Sequence, residues 1–182
     1  MAKLVSKTYG EALFELAKEE NTLDVIQKEA VAVLEIFKQN EELVKLLNHP
    51  KISKEEKVTV IENIFKNRAS EAIVGFLVLI VEKGRYNEIS QIFTYFLEQV
   101  KEFKKIGVAY VTSAIPLTME QKKKIQEKLL ATTQYIQFEM HFDVDKSLIG
   151  GMVIRIGDRV VDSSIRTKLN QMTQTLSKVQ LQ

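Results

Sequence analysis

The chain has 182 residues, 45% of them apolar, enough to bury a real core in one domain or two small ones. It has no cysteine, which excludes disulfides and thiolate chemistry and fits a reducing compartment. Up to Lys105 there are 16 basic and 17 acidic residues and beyond it 10 and 7, a mild bias towards acidic partners far short of a nucleic-acid footprint.

The opening residues, MAKLVSKTYGEALFELAKEE, carry acids and lead straight into a helical pattern, unlike a secretory signal or transit peptide. Leu4/Val5, Tyr9, Ala12/Leu13 and Leu16 recur at helical spacing in a first helix. A second, capped by Asn21 or Thr22, carries Val25/Ile26, Ala30, Val33/Leu34 and Phe37. A short third, around Glu41–Leu47, stops before His49-Pro50, because a residue ahead of proline avoids the helical region. Ser53 and Glu56 form a capping box for a fourth with Val58, Ile61 and Ile64/Phe65. A fifth begins at Ser70 and is apolar nearly all round through Val81, the pattern of a helix buried at the centre of a bundle. Its apolar run, Ala72–Val81, is about half the roughly 20 residues that a membrane span requires. Membrane association must therefore come through partner proteins. Gly84 stops this helix, and Tyr86 or Asn87 starts a sixth with Ile89, Ile92/Phe93, Phe96/Leu97, Val100 and Phe103.

Near Lys105-Ile106-Gly107 the apolar period switches from helical to alternating. Val108–Thr112 reads as a strand, and Thr118 with Gln121 caps a helix through about Leu130. Ile136, Phe138, Met140, Phe142 and Val144 then alternate with polar residues, as in a half-solvated strand. Two further β-branched runs, Met152–Ile156 and Arg159–Val161, flank Gly157-Asp158, the signal for a type II′ hairpin. Gly150-Gly151 suit a bulge or a close backbone approach, and Ser163 or Asp162 caps a last helix. The fold expected is mainly α: a six-helix bundle over 1–105, then a small α+β domain over 106–182 of order β-α-β-β-β-α. Phe103–Ile106 has no flexible-linker composition, so a continuous helix end is expected to join the two.

Candidate chemistry is sparse. His49 and His141 have no metal-ligand spacing around them and no cysteine to join, so no metal site is expected. The glycines lack phosphate-loop order, which leaves no expected cofactor. Asp143 and Asp145 share a polar strand face, where nothing raises a carboxyl pKa as a general acid needs. Ser163-Ser164 look like a helix start and not a nucleophile elbow. No catalytic residue is expected. The basic run Lys122-Lys123-Lys124 with Lys128 reads as a solvated helix face without interleaved aromatics. Its alternative use is a basic regulatory or nucleic-acid-associated adaptor.

Two apolar stripes remain. Ile165, Leu169, Met172, Leu176 and Val179 form a heptad-like seam that either covers the sheet or meets a partner helix. Tyr9, Ala12, Leu13 and Leu16 form the other, beside the apolar fifth helix; it is either core or a groove for a foreign amphipathic helix, with Ala12 allowing close approach.

The run GGMVIRIGDRVVDSSIRTKLNQM (Gly150–Met172) resembles the C-terminal signature of the δ subunit of F-type ATP synthases, the bacterial relative of the mitochondrial oligomycin-sensitivity-conferring protein. Tyr9-Gly10-Glu11-Ala12-Leu13-Phe14 is similar to that family's first-helix pattern, and Gly84-Arg85-Tyr86-Asn87 to its inter-helix turn. Gly10 departs from the pattern and is expected to loosen the first helix locally. The resemblance implies a non-catalytic stator subunit in ATP synthesis and hydrogen-ion transport, peripheral on the cytoplasmic face of a bacterial cell membrane. It implies that the helical domain binds N-terminal helices of the F1 α subunits, and that the C-terminal domain binds C-terminal helices of the b-subunit stalk, with no nucleic acid and no direct membrane insertion. The residues it matches to the head contact are Tyr9 and Ala12, and by adjacency Leu13, Leu16, Phe76 and Leu79.

Overall fold

The computed structural model describes residues 2–66 and 68–179, with side chains described for 4–66 and 68–173. The chain divides into two compact units, Met1–Lys101 and Glu102–Gln182. It is mainly helical, with a small four-stranded mixed sheet among the described residues.

In chain order come α1 (Ala2–Glu19), α2 (Leu23–Gln39), α3 (Glu41–Asn48), α4 (Lys54–Phe65), α5 (Glu71–Glu82), a 3-10 turn at Tyr86–Glu88, and α6 (Ile89–Phe103). Local chemistry fixes several of their ends. Ser53 Oγ accepts from the Glu56 amide at 3.2 Å while Glu56 Oε2 accepts from the Ser53 amide at 2.9 Å, closing a capping box. Ser70 caps α5, and its own amide and hydroxyl donate to the Glu29 carboxylate at 3.0 and 2.6 Å, tying α2 to the start of α5. Gly84, at φ +70°, ends α5 in a Schellman motif, with the Arg85 amide on the Ile80 carbonyl and the Gly84 amide on that of Val81. Thr22 takes the cap position of α2, but without a side-chain bond; Asn21, at φ +56°, makes the turn instead.

One core joins all six helices, with Leu13, Ile26, Leu47, Phe65, Leu77 and Phe93 among its members. Gly10 corrects the sequence expectation. It does not loosen α1 but seats it on α6, since a Cβ there would lie 2.6 Å from Tyr95 Cδ1 and 3.2 Å from the Ile92 carbonyl oxygen. The propensity cost of a helical glycine is offset by backbone approach, which no local pattern reveals.

The second unit contains β1 (Ile106–Ser113), α7 (Met119–Thr132), β2 (Gln137–Val144), a 3-10 turn at Lys146–Leu148, β3 (Met152–Ile156), β4 (Arg159–Asp162) and α8 (Ile165–Val179). The sheet order is β2-β1-β3-β4, with β1 and β2 parallel across the α7 connection and the other pairs antiparallel. Registration of Val111 with Phe142 and Ile154 puts the apolar residues on one face. There Lys122 of α7 holds its Nζ 4.8 Å from the Phe142 ring centre. Registration of Tyr110 with His141 and Arg155 puts polar residues on the other. Ile156 pairs with Arg159, leaving Gly157-Asp158 as the two-residue turn, and of the two only Gly157 takes positive φ, at +55°.

Gly150-Gly151 allow a close approach. Gly151 sits at φ +79°, where a Cβ would drive into the Ser163 carbonyl and come within 3.1 Å of Ser164 Cα. The Ile165 amide donates to the Gly150 carbonyl at 2.9 Å, and the Ser163 amide to that of Met152 at 3.0 Å. The start of α8 is thereby laid against the entry to β3. Its cap is Ser164, one residue beyond the expected Ser163: Ser164 Oγ accepts from the Thr167 amide at 3.2 Å. Asp162 braces this turn, accepting from the Ser164 amide at 2.8 Å and the Thr167 hydroxyl at 2.7 Å. The Thr167 hydroxyl, and then the Ser164 bonds, hold the Asp162 pKa below its ordinary 3.8. A carboxyl lowered in this way contributes stability above its ordinary pKa and loses it as pH falls through the lowered value. The protection factor of the Ser164 amide, its exchange measured against the intrinsic rate at each pH, should therefore hold from neutrality down to about pH 4 and fall below it. Loss of protection above that range would refute the brace.

Candidate docking surfaces

The helical expectation for the first stripe resolves into two sets of side chains. Leu13 (1% exposed) and Phe76 (8%) belong to the core. Leu16 (39%) and Leu79 (41%) face outward, Ala12 is exposed, and Tyr9 is half-buried. Tyr9 meets Phe76 edge-on with ring centres 6.4 Å apart, and Phe76 in turn meets Phe93 at 5.8 Å. The Tyr9–Phe76 contact joins α1 to α5. Ala12 and Leu16 lie one and two turns along α1 from that contact, and Leu79 lies one turn along α5 from Phe76. Ala12, Leu16 and Leu79 are thus open to solvent and Tyr9 partly so, while Phe76 and Leu13 are core.

Gly75 belongs beside this set and sequence reading missed it. It is exposed in the middle of α5, one turn before Leu79, and nothing lies within 4 Å of the place its Cβ would occupy. An exposed mid-helix glycine costs about 1 kcal/mol against alanine, and no internal packing here accounts for it. The signal was present as a lone glycine in an otherwise apolar helix, but its exposure was not legible.

In the second unit the described part of the α8 seam is open to solvent. Ile165 (43% exposed), Leu169 (49%) and Met172 (65%) all face outward. Leu176 and Val179 lie outside the described side chains. Ile149 and the β4 residues Val160 and Val161 are exposed as well.

Other candidates are occupied by ordinary contacts. His141 stacks on Tyr110 with ring centres 4.8 Å apart and reaches Glu139 Oε1 at 3.0 Å, while His49 Nδ1 accepts from the Lys51 amide at 3.2 Å. Asp145 accepts from the Ser147 hydroxyl and amide, both at 2.9 Å, and these bonds lower its pKa, the direction opposite to that of a general acid. On α7, Lys124 pairs with Glu120 at 2.7 Å, Lys123 lies 4.0 Å from Glu127, and Lys122 is over Phe142. No described helix is long and apolar enough to cross a membrane.

The sequence model of the ATP synthase delta (OSCP) subunit family matches residues 5–176. The chain belongs to this family. ATP synthase subunit delta of Lachnoclostridium phytofermentans is 61% identical over all of both chains, and that of Brevibacillus brevis 34% identical over 96% of this chain and 99% of its own. A chain in the cryo-EM structure of the Toxoplasma gondii mitochondrial ATP synthase hexamer shares the fold, with TM-score 0.72 over 94% of this chain and 96% of that one at 19% identity. Membership of the delta family makes the chain a subunit of ATP synthase, part of its F1 and peripheral-stalk apparatus. The reading as a basic nucleic-acid-associated adaptor finds no support. On the Lys122–Lys128 face, Lys122, Lys123 and Lys124 each have a partner within their own unit.

Proposed function

We propose that this chain is a non-catalytic stator adaptor that stops the catalytic head from turning with the rotor. Its first six helices act as one bundle that grips the N-terminal helices of the F1 α subunits over 1–105. Its second domain, 106–182, grips the C-terminal helices of the b-subunit stalk. In this reading the chain is peripheral, on the cytoplasmic face of a bacterial membrane. The observation that carries the head contact is the exposed Ala12, Leu16, Leu79 and Gly75 on the two helices that the Tyr9–Phe76 contact joins. A buried helix-in-groove contact in each domain resists torque better than rim charges, because apolar burial is not screened by salt. The exposed Ile165, Leu169 and Met172 support the stalk end.

Capture of a tagged full-length chain from detergent-solubilised membranes tests the reading. F1 α and stalk b subunits should travel with it through a high-salt wash. Recovery of the tagged chain alone would overturn it.

A further inference from the structure

We infer that the exposed seam of α8 receives an amphipathic helix whose apolar stripe is flanked by carboxylates. The inference rests on the second domain being the stalk contact and supplies the chemistry of the partner helix. Ile165, Leu169 and Met172 follow spacings of 4 and 3, so their side chains share one face of α8, and all are exposed. Ile149 extends the strip. It is next in sequence to Gly150, whose carbonyl accepts from the Ile165 amide, and its own side chain is exposed. A β-branched residue at φ +66° is strained, and here the strained backbone holds an apolar side chain in water beside the seam.

The charges decide the occupant. From Ile165 to Val179 α8 contains no acidic residue, while its first turns carry Arg166 and Lys168. The positive end of a helix dipole favours acids, so cations there act against the helix that bears them. Two carboxylates lie in the turns ahead of α8: Asp145 accepts from Ser147, with Arg166 leaning on it and donating to Ser147 Oγ at 3.2 Å, and Asp162 accepts from the α8 cap. Along α8 itself every charged residue is a cation. A second copy of this chain would bring its own cations with its own seam, a like-charge juxtaposition that disfavours self-association. A helix with glutamates or aspartates beside its apolar stripe matches both features.

The test uses the full-length chain and two labelled helical peptides of about three heptads with the same leucine stripe. One carries glutamates at the flanking positions, the other lysines. Fluorescence anisotropy should show the glutamate peptide binding about tenfold or more tighter, with the gap closing as salt rises. Lys168→Glu with Arg166→Glu should reverse the preference while keeping the helical circular-dichroism signal, since acids suit that end of α8. Met172→Glu should weaken the glutamate peptide. Equal binding, a lysine preference, no binding of either peptide, or a preference unmoved by the double reversal would each overturn the inference. So would dimerisation of the chain that blocks the seam, read by sedimentation. Stalk capture on the wild type separates the two failures: b subunit captured without a peptide preference sinks this inference alone, and no b subunit captured sinks the stalk reading.

Discussion

Ala12→Asp should release the F1 head while leaving the chain folded. Ala12 is exposed on α1, so in the free protein the new carboxylate stays in water and costs only helix propensity, about 0.5 kcal/mol. In the proposed complex the same carboxylate is trapped under an apolar helix without a partner. An uncompensated charge in such a contact costs about 3–5 kcal/mol, which weakens Kd on the order of a hundredfold or more. Gly75 supplies a control of opposite sign. Gly75→Leu replaces the poorest ordinary helix former with a good one in open space, so the thermal midpoint should rise while head affinity falls. A purely structural role for these positions predicts that stability and affinity move together. Titration of isolated F1 particles with each variant, beside thermal melts, reads both quantities. Unchanged affinity in both variants would remove the groove as the head contact.

What the sequence made legible follows the range of the forces involved. The capping boxes at Ser53 and Thr118, the Gly84 stop, the Gly157 turn and the alternation through β2 depend on groups within a few residues of one another, and each stands in the structure. Which side of α1 and α5 faces outward was not legible. A helix that is apolar all round gives no periodic sign of which side faces inward, so Phe76 and Leu79 looked equivalent although one is core and the other surface. Leu13 and Ala12 are neighbours in sequence and fall on opposite sides of the same boundary for the same reason. The close approach at Gly10 is set by Tyr95 and Ile92, far along the chain. Whether the α8 seam faces the sheet or solvent was likewise not legible, since a heptad-like repeat marks an apolar face without saying what covers it; Ile165, Leu169 and Met172 are exposed. The cap of α8 was missed by one residue because Asp162, Ser163 and Ser164 are all competent caps, and the backbone path set by Gly151 selects among them.

That path makes Gly151→Ala a damaging single-methyl change in the second unit. Left-handed backbone costs an alanine about 1–2 kcal/mol, and here the added Cβ also meets the Ser163 backbone, which cannot turn aside as a side chain would. Forcing an extra carbon into a filled space costs about 1–3 kcal/mol more, for a total of roughly 2–5 kcal/mol. Two other glycines calibrate this figure. Gly157 is also at positive φ but faces open space, so alanine there should cost only the backbone part. Gly150 is not at positive φ, and its added Cβ would meet Ile165 Cδ1 at 2.6 Å, the flexible end of an exposed side chain that can rotate away. The expected order of destabilisation is therefore Gly151→Ala first, with Gly157→Ala and Gly150→Ala each smaller. Hydrogen exchange on the full-length variants should show the loss in β3, β4 and the first turn of α8, with α5 and α6 unchanged. If Gly151→Ala were no worse than Gly157→Ala, the seating of α8 on the β3 entry would not be what this glycine secures, and the signature run would need another physical cause.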